Sequence, residues 1–215
     1  MIPPTGLKLS RSRGPVVVVY GKEMLLHQYL KKLLVTWNWN VWPYDNQYYR
    51  LKVGKYAIKV TPYFFGAIYG EWLDWKRYYL PINLSGATIL DVGAGSGETA
   101  LFYFLQGAKR IVCVEPDKRL SETVQENIRS NQWNAEVLTR EFGLDLLQGD
   151  FDFMKMDCEG CEAKLLNAPS IPRCVIEVHT DKLLAALKDR FDLRLGTGSV
   201  QYLIATSPRL AKPSS

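Results

Sequence analysis

The chain has 215 residues, is 47% hydrophobic and carries a formal net charge of +5, which fits one globular α/β domain with an N-terminal extension. No stretch approaches the roughly 20 apolar residues that cross a bilayer, and Val16–Tyr20 is too short for a signal-peptide core and lacks a small-residue cleavage site. A membrane-spanning chain is excluded on this reading, and a cytoplasmic protein is expected.

Residues 1–15 hold Pro, Gly, Ser and basic residues and read as flexible; Val16–Tyr20 reads as a strand or buried segment. Lys22 to about Val35 carries Met24, Leu25, Gln28, Tyr29, Lys32 and Leu33 at helical spacing, which predicts an amphipathic helix with His27 as a packed or surface residue. Lys8, Arg11, Arg13, Lys22, Lys31 and Lys32 face only Glu23 here. They read first as a solvated basic face, with an anionic partner such as nucleic acid or a membrane surface as the alternative. Trp37 to Tyr49 is dense in aromatics, which pack a small accessory layer or, between basic residues, stack bases. Tyr48–Val53 and Tyr56–Val60 flank Gly54-Lys55 as a β-hairpin that ends at Thr61-Pro62, and Tyr69–Tyr79 is predicted helical.

A regular alternation starts at Thr88. Strand 88–92 leads to helix 98–106, strand 111–115 to helix 117–130, and Ala135–Thr139 is a third strand. A short helix near Leu144, strand Phe151–Met156, a short helix from Glu162, strand Cys174–Val178 and helix Asp181–Arg190 follow. Phe191–Leu195 and Gln201–Thr206 flank Gly196–Ser199, and so short a glycine turn makes them antiparallel. Residues 207–215 read as a flexible tail.

Thr88-Ile-Leu-Asp-Val-Gly-Ala-Gly-Ser-Gly-Glu-Thr99 is a buried strand, a glycine-rich turn and a helix start, the opening of a βαβ nucleotide-binding unit. A dinucleotide fingerprint needs glycine where Glu98 stands, and a carboxylate there opposes a pyrophosphate on the same helix end. Asp91 at the strand tip suits a ligand with positive charge. S-adenosylmethionine (SAM) carries a sulfonium and an ammonium and no phosphate. Glu115 ends the next strand, at the distance of a carboxylate that takes ribose hydroxyls.

Cys158 and Cys161 form a C-x-x-C. Zinc does not fit, because Cys113 and Cys174 sit in strands whose geometry keeps four cysteines apart. Small packing residues are expected, with a local disulfide as the alternative for a thermophilic source. The tips of the fourth and fifth strands, Lys155-Met-Asp-Cys-Glu-Gly-Cys-Glu162 and Ile176-Glu-Val-His179, bring Asp157, Glu159, Glu162, Glu177 and His179 to one mouth. His179 there is a candidate general base, or a metal ligand together with the carboxylates. No metal is assigned from the sequence.

The chain resembles the FkbM family of SAM-dependent methyltransferases over roughly residues 69–195. The likeness rests on Gly70-Glu71-Trp72, Asp91–Gly97, Val114-Glu-Pro116, Lys155–Glu162 and Glu177-Val-His179. It implies a Rossmann-like class I fold: a mostly parallel seven-stranded sheet with a C-terminal antiparallel hairpin, plus a small N-terminal α+β extension. Residues 69–206 would be the SAM-binding domain and 1–68 an accessory region of helix and hairpin. The resemblance implies that Asp91, Gly93, Ala94, Gly95, Gly97, Glu115 and Pro116 hold the cofactor. Glu71 would reach its methionine end, Glu141 its adenine, and Asp157 would border it. Asp157, Glu159, Glu177 and His179 would line the acceptor side. The implied reaction is SN2 methyl transfer to a hydroxyl oxygen of a small molecule or glycan, driven mainly by alignment. The competing expectation is an RNA or tRNA methyltransferase whose basic, aromatic N-terminal region binds nucleic acid. A non-catalytic module that keeps the cofactor fold is the third.

Overall fold

The computed structural model describes residues 7–10, 14–19, 22–25, 39–45, 47–196 and 201–212. Strands β1 (Leu7–Ser10), β2 (Gly14–Val19) and β3 (Lys22–Leu25) form a three-stranded antiparallel sheet. Two expectations change here. Part of the segment read as flexible is a paired strand, Leu7–Ser10 running antiparallel to Gly14–Val17. The helix expected from Lys22 begins instead as β3, where strand pairing to Val16–Val19 overrides a helical pattern. The remainder of that predicted helix, including His27, lies outside the described residues.

Strands β4 (Trp39–Pro43), β5 (Tyr49–Val53) and β6 (Tyr56–Val60) make a second antiparallel sheet, with the hairpin turning at Gly54-Lys55 as expected. Helix α1 (Pro62–Tyr78) follows without a break. Thr61 is its N-cap, its side chain accepting from the Phe64 N–H, and Pro62 takes the first turn, where a missing N–H costs nothing. The Thr-Pro pair that ends the hairpin thus starts the helix, seven residues before Tyr69. The division at 68/69 falls inside this helix.

From there the chain alternates. It runs β7 (Thr88–Val92), α2 (Glu98–Leu105), β8 (Arg110–Val114), α3 (Lys118–Asn131), β9 (Ala135–Leu138), β10 (Phe153–Met156), β11 (Ser170–Ile171), β12 (Cys174–Glu177), α4 (Asp181–Phe191), β13 (Arg194–Leu195), β14 (Tyr202–Ala205) and β15 (Arg209–Leu210). Short 3-10 helices at Leu144–Gln148 and Cys161–Asn167 flank β10. Seven strands form one sheet in the order β13-β14-β12-β10-β7-β8-β9. All neighbours are parallel except β14, which runs antiparallel to both β12 and β13. The expected mostly parallel seven-stranded sheet with a terminal hairpin is therefore present. The tail reading changes: β15 pairs with β11, and the Lys212 N–H donates to the Arg190 carbonyl, so backbone hydrogen bonds hold the chain to residue 212.

Apolar residues cover both faces of the sheet. One face packs Ile89, Ile111, Phe153 and Val175 against α1, α2 and the β4–β6 layer. The other packs Leu90, Val112, Met154 and Ile176 against Leu165, Leu187 and Phe191. Of the N-terminal aromatics, Trp39, Tyr48 and Tyr49 are buried, whereas Trp42 and Tyr44 are exposed; Trp39 meets Trp72 edge-on at 4.7 Å, and Tyr56 meets Trp133 at 5.5 Å. Two amides join this layer to the sheet domain. Asn127 and Asn131, one turn apart on α3, accept from the N–H groups of Lys59 and Ala57 and donate to the same residues' carbonyls at 2.7–2.9 Å. An asparagine amide presents one acceptor and two donors, so each side chain completes a ladder rung on the open edge of β6. Asn127 spends its second N–H on the Ser96 carbonyl, inside the glycine turn.

Candidate active site

The carboxyl ends of β7, β8, β10 and β12 open on a cavity of about 670 Å³, roofed by Tyr63, Phe64, Glu71, Trp75 and Tyr79 of α1 and its C-cap. This is where open α/β sheets bind ligands. The turn after β7 lies close beneath it. Gly93 has φ of 74°, and a Cβ there would stand 1.7 Å from the Asp157 carbonyl oxygen, so only glycine lets the tips of β7 and β10 meet.

The donors of this turn are already taken. The Gly95 N–H donates to Glu115 Oε2 at 2.9 Å and the Ser96 N–H to Glu98 Oε2 at 2.8 Å. Glu115 also accepts from the Asp117 N–H. A phosphate would need those N–H groups free and would meet two carboxylates. Burial raises the pKa of both acids, Glu98 to about 8. A cationic ligand in the cavity favours their charged forms. The glycine cradle, the two carboxylates and the cavity size fit SAM and oppose a dinucleotide.

Asp91 lies behind the wall rather than on it. It is fully buried, accepts from the Thr99 hydroxyl at 2.6 Å, and stands 3.3 Å from Lys155 Nζ on the adjacent strand. Lys155 itself lines the cavity and donates to the Gly93 carbonyl at 2.7 Å. Burial works against its charge, but Asp91, Asp157 and Glu98 outweigh it and raise its pKa. Asp91 thus acts on the turn through Lys155 and Thr99.

Of the residues singled out from the sequence, Glu71, Gly93, Gly95, Glu115, Pro116, Glu141, Asp157, Glu159 and Glu177 line this one cavity. Ala94 and Gly97 sit in the turn without lining it. Glu71 accepts from the Trp75 indole N–H, and Glu141 is exposed and paired with Lys164 at 2.8 Å. His179 borders the cavity: its Nε2 stands 3.5 Å from Glu159, 3.8 Å from Asp157 and 3.9 Å from Glu177. Its Nδ1 meets buried Glu162 at 3.0 Å. Burial lowers the imidazole's pKa, but the Glu162 hydrogen bond and the surrounding acids raise it further. Glu177 is pushed up to about 7 by burial and by the charge of Asp157.

Cys158 and Cys161, expected as packing residues, are joined in a disulfide. The turn through Glu159 and Gly160, both at positive φ, brings their Cα atoms to 5.5 Å, within bridging reach. Cys113 and Cys174 are buried free thiols, so no four-cysteine centre forms. Sequence reasoning passed over Lys155, Glu98, Tyr79 and Tyr202 as parts of the site. A signal existed for the first: a lone lysine inside the apolar run Phe153–Met156, in register with Asp91, demands a buried partner.

No protein-family model matches the chain. It is 28% identical over 118 residues to "Uncharacterized protein 65" of Sulfolobus islandicus filamentous virus, covering 50% of this chain and 68% of that protein. It is 36% identical over 69 residues to a ribosomal protein L11 methyltransferase of Thermotoga maritima. That match covers 32% of this chain and 26% of the relative, about a quarter of its length. Among solved structures, M. jannaschii TYW2 in complex with AdoMet matches with a TM-score of 0.51 at 15% identity, covering 80% of this chain and 93% of that one. The fold is the Rossmann-like class I methyltransferase fold.

Proposed function

We propose that the chain is a SAM-dependent methyltransferase acting on a hydroxyl oxygen of a small molecule or glycan. One observation carries the reading: the glycine turn spends its N–H donors on Glu115 and Glu98 beneath an acid-lined cavity, which selects a cationic nucleoside over a phosphorylated one. The TYW2 structure was solved with AdoMet, and the Lys155–Glu162 motif supports the FkbM resemblance.

Bound SAM supplies a methyl group on a sulfonium. The chain's own residues orient and deprotonate. Glu115 presents both oxygens at the β8 tip, each with a second lone pair for a ribose hydroxyl. Tyr79 donates to Asp157 Oδ2 at 3.4 Å and holds that carboxylate at the cavity rim. Glu162 holds His179 by Nδ1 and turns Nε2 toward the acids at the cavity rim, where a carboxylate takes the acceptor's proton. Calorimetric titration with S-adenosylhomocysteine tests the reading. We expect micromolar binding that Glu115→Ala weakens at least tenfold; absence of binding to the wild type would overturn it.

A second reading has its own observation. Tyr63 is 75% exposed at the cavity rim, and Trp42 and Tyr44 are exposed on the hairpin layer. Such exposed aromatic surface suits the stacking of RNA bases. RNA binding that weakens steeply with salt would favour this acceptor over a small one.

A further inference from the structure

At the cavity rim, Asp157, Glu177 and exposed His179 each offer one donor atom, and the three atoms lie within 4.8 Å of one another. The separations are wrong for direct pairing. His179 Nε2 is 3.8 Å from Asp157 Oδ1 and 3.9 Å from Glu177 Oε1, beyond a hydrogen bond. Around a cation with bonds of about 2.1 Å, neighbouring ligands stand about 3 Å apart and opposite ones about 4.2 Å; the two separations from His179 Nε2 lie between these values, and the set closes with small side-chain shifts.

Each of the three is also fixed from behind by a different buried group. Glu162, 1% exposed, takes His179 Nδ1 and turns Nε2 outward. Tyr79 takes Asp157 Oδ2 and frees Oδ1. Tyr202, fully buried, hydrogen-bonds Glu177. These partners come from three separate elements, and holding each ligand by a second hydrogen bond is how proteins build metal centres. Charge points the same way. Four carboxylates (Asp157, Glu159, Glu162 and Glu177) surround one imidazole. The cation beside them, Lys155, stands 4.0 Å from Asp157 and is already 3.3 Å from Asp91.

We propose that Asp157, Glu177 and His179 bind a divalent cation of the Mn²⁺ or Mg²⁺ class. Two carboxylates and one imidazole suit such an ion and leave positions open toward the cavity rim. Exposed Glu159, 3.5 Å from Nε2, is a displaceable fourth ligand. What fills the open positions, an oxygen of the methyl acceptor, rests on the methyl-transfer reading; the cation site itself does not.

The test is Mn²⁺ titration of the full chain, followed by loss of the free-ion electron paramagnetic resonance signal. One Mn²⁺ per chain is expected, with Mg²⁺ competing. Asp157→Asn and His179→Gln should each weaken binding at least tenfold, and Glu162→Gln about tenfold through ligand orientation. Glu136→Gln, at a remote surface pair, should leave it unchanged. No stoichiometric binding, or equal affinity in wild type, Asp157→Asn and His179→Gln, would overturn the site. S-adenosylhomocysteine titrated with EDTA present separates the two claims: its binding stands or falls with the methyl-transfer reading alone.

Discussion

Glu98 occupies the position where a dinucleotide-binding turn carries glycine, and it is 5% exposed at the base of the cavity. Its folded-state pKa, about 8, lies above the ordinary 4.5 because burial disfavours the charge. The folded state therefore holds this proton more tightly than the unfolded chain does. The resulting stabilisation is fully present below pH 4.5 and is lost as pH rises through about 8. Thermal unfolding between pH 5 and 9 should show a decline in midpoint that is clearly shallower in Glu98→Gln. SAM should also gain affinity relative to the neutral thioether S-adenosylhomocysteine as pH rises across the same window, and the Gln variant should lose that gain. Equal slopes in both proteins would show that Glu98 is already ionised. The glycines, Glu115 and the acids around His179 were legible because strand ends in an alternating α/β chain face one edge. The inward turn of Asp91 was not. Whether a strand-tip acid faces a cavity or a neighbouring strand depends on its partner, and Lys155 is 64 residues away by sequence.

At the scale of elements, the β6–α3 contact rests on side-chain amides rather than on a backbone ladder. Asn127→Ala would strand the N–H and carbonyl of Lys59 and the carbonyl of Ser96. Each loss is partial where water reaches, so a destabilisation of about 1–3 kcal/mol is expected in urea denaturation. Weaker S-adenosylhomocysteine binding should accompany it, because Ser96 belongs to the glycine turn. A change below about 0.5 kcal/mol, within the range of ordinary surface substitutions, would show that the clamp carries no weight. Element identity was legible from periodicity for β7 through α4, except for the two-residue β11. Where it failed, a tertiary or local signal overrode the pattern. The start of α1 was hidden because Thr61-Pro62 serves as both hairpin end and helix cap. The tail was misread because two-residue pairing with β11 has no periodicity to detect.

Over the whole molecule, the hairpin layer and the sheet domain share one apolar core. Tyr49 packs on Phe65 at 5.9 Å, and Tyr56 on Trp133 at 5.5 Å and on Phe104 at 6.5 Å. Removal of residues 1–60 would uncover Phe65, Trp72, Phe104 and Trp133 together, a patch larger than soluble monomers expose. Such a fragment should bind a hydrophobic dye strongly and unfold without a cooperative transition. A soluble, cooperatively unfolding fragment would instead establish residues 61–212 as self-sufficient. No described helix is long and apolar enough to cross a membrane.

The amide of Asn127 also ties two regions to a single chemical group. Deamidation replaces its NH₂ with a carboxylate oxygen, which would then confront the carbonyls of Lys59 and Ser96 that it now serves as donor. Attraction would become repulsion at two contacts at once, on the hairpin edge and in the glycine turn. Chemical damage to a single side chain would therefore loosen the accessory layer and the cofactor cradle together.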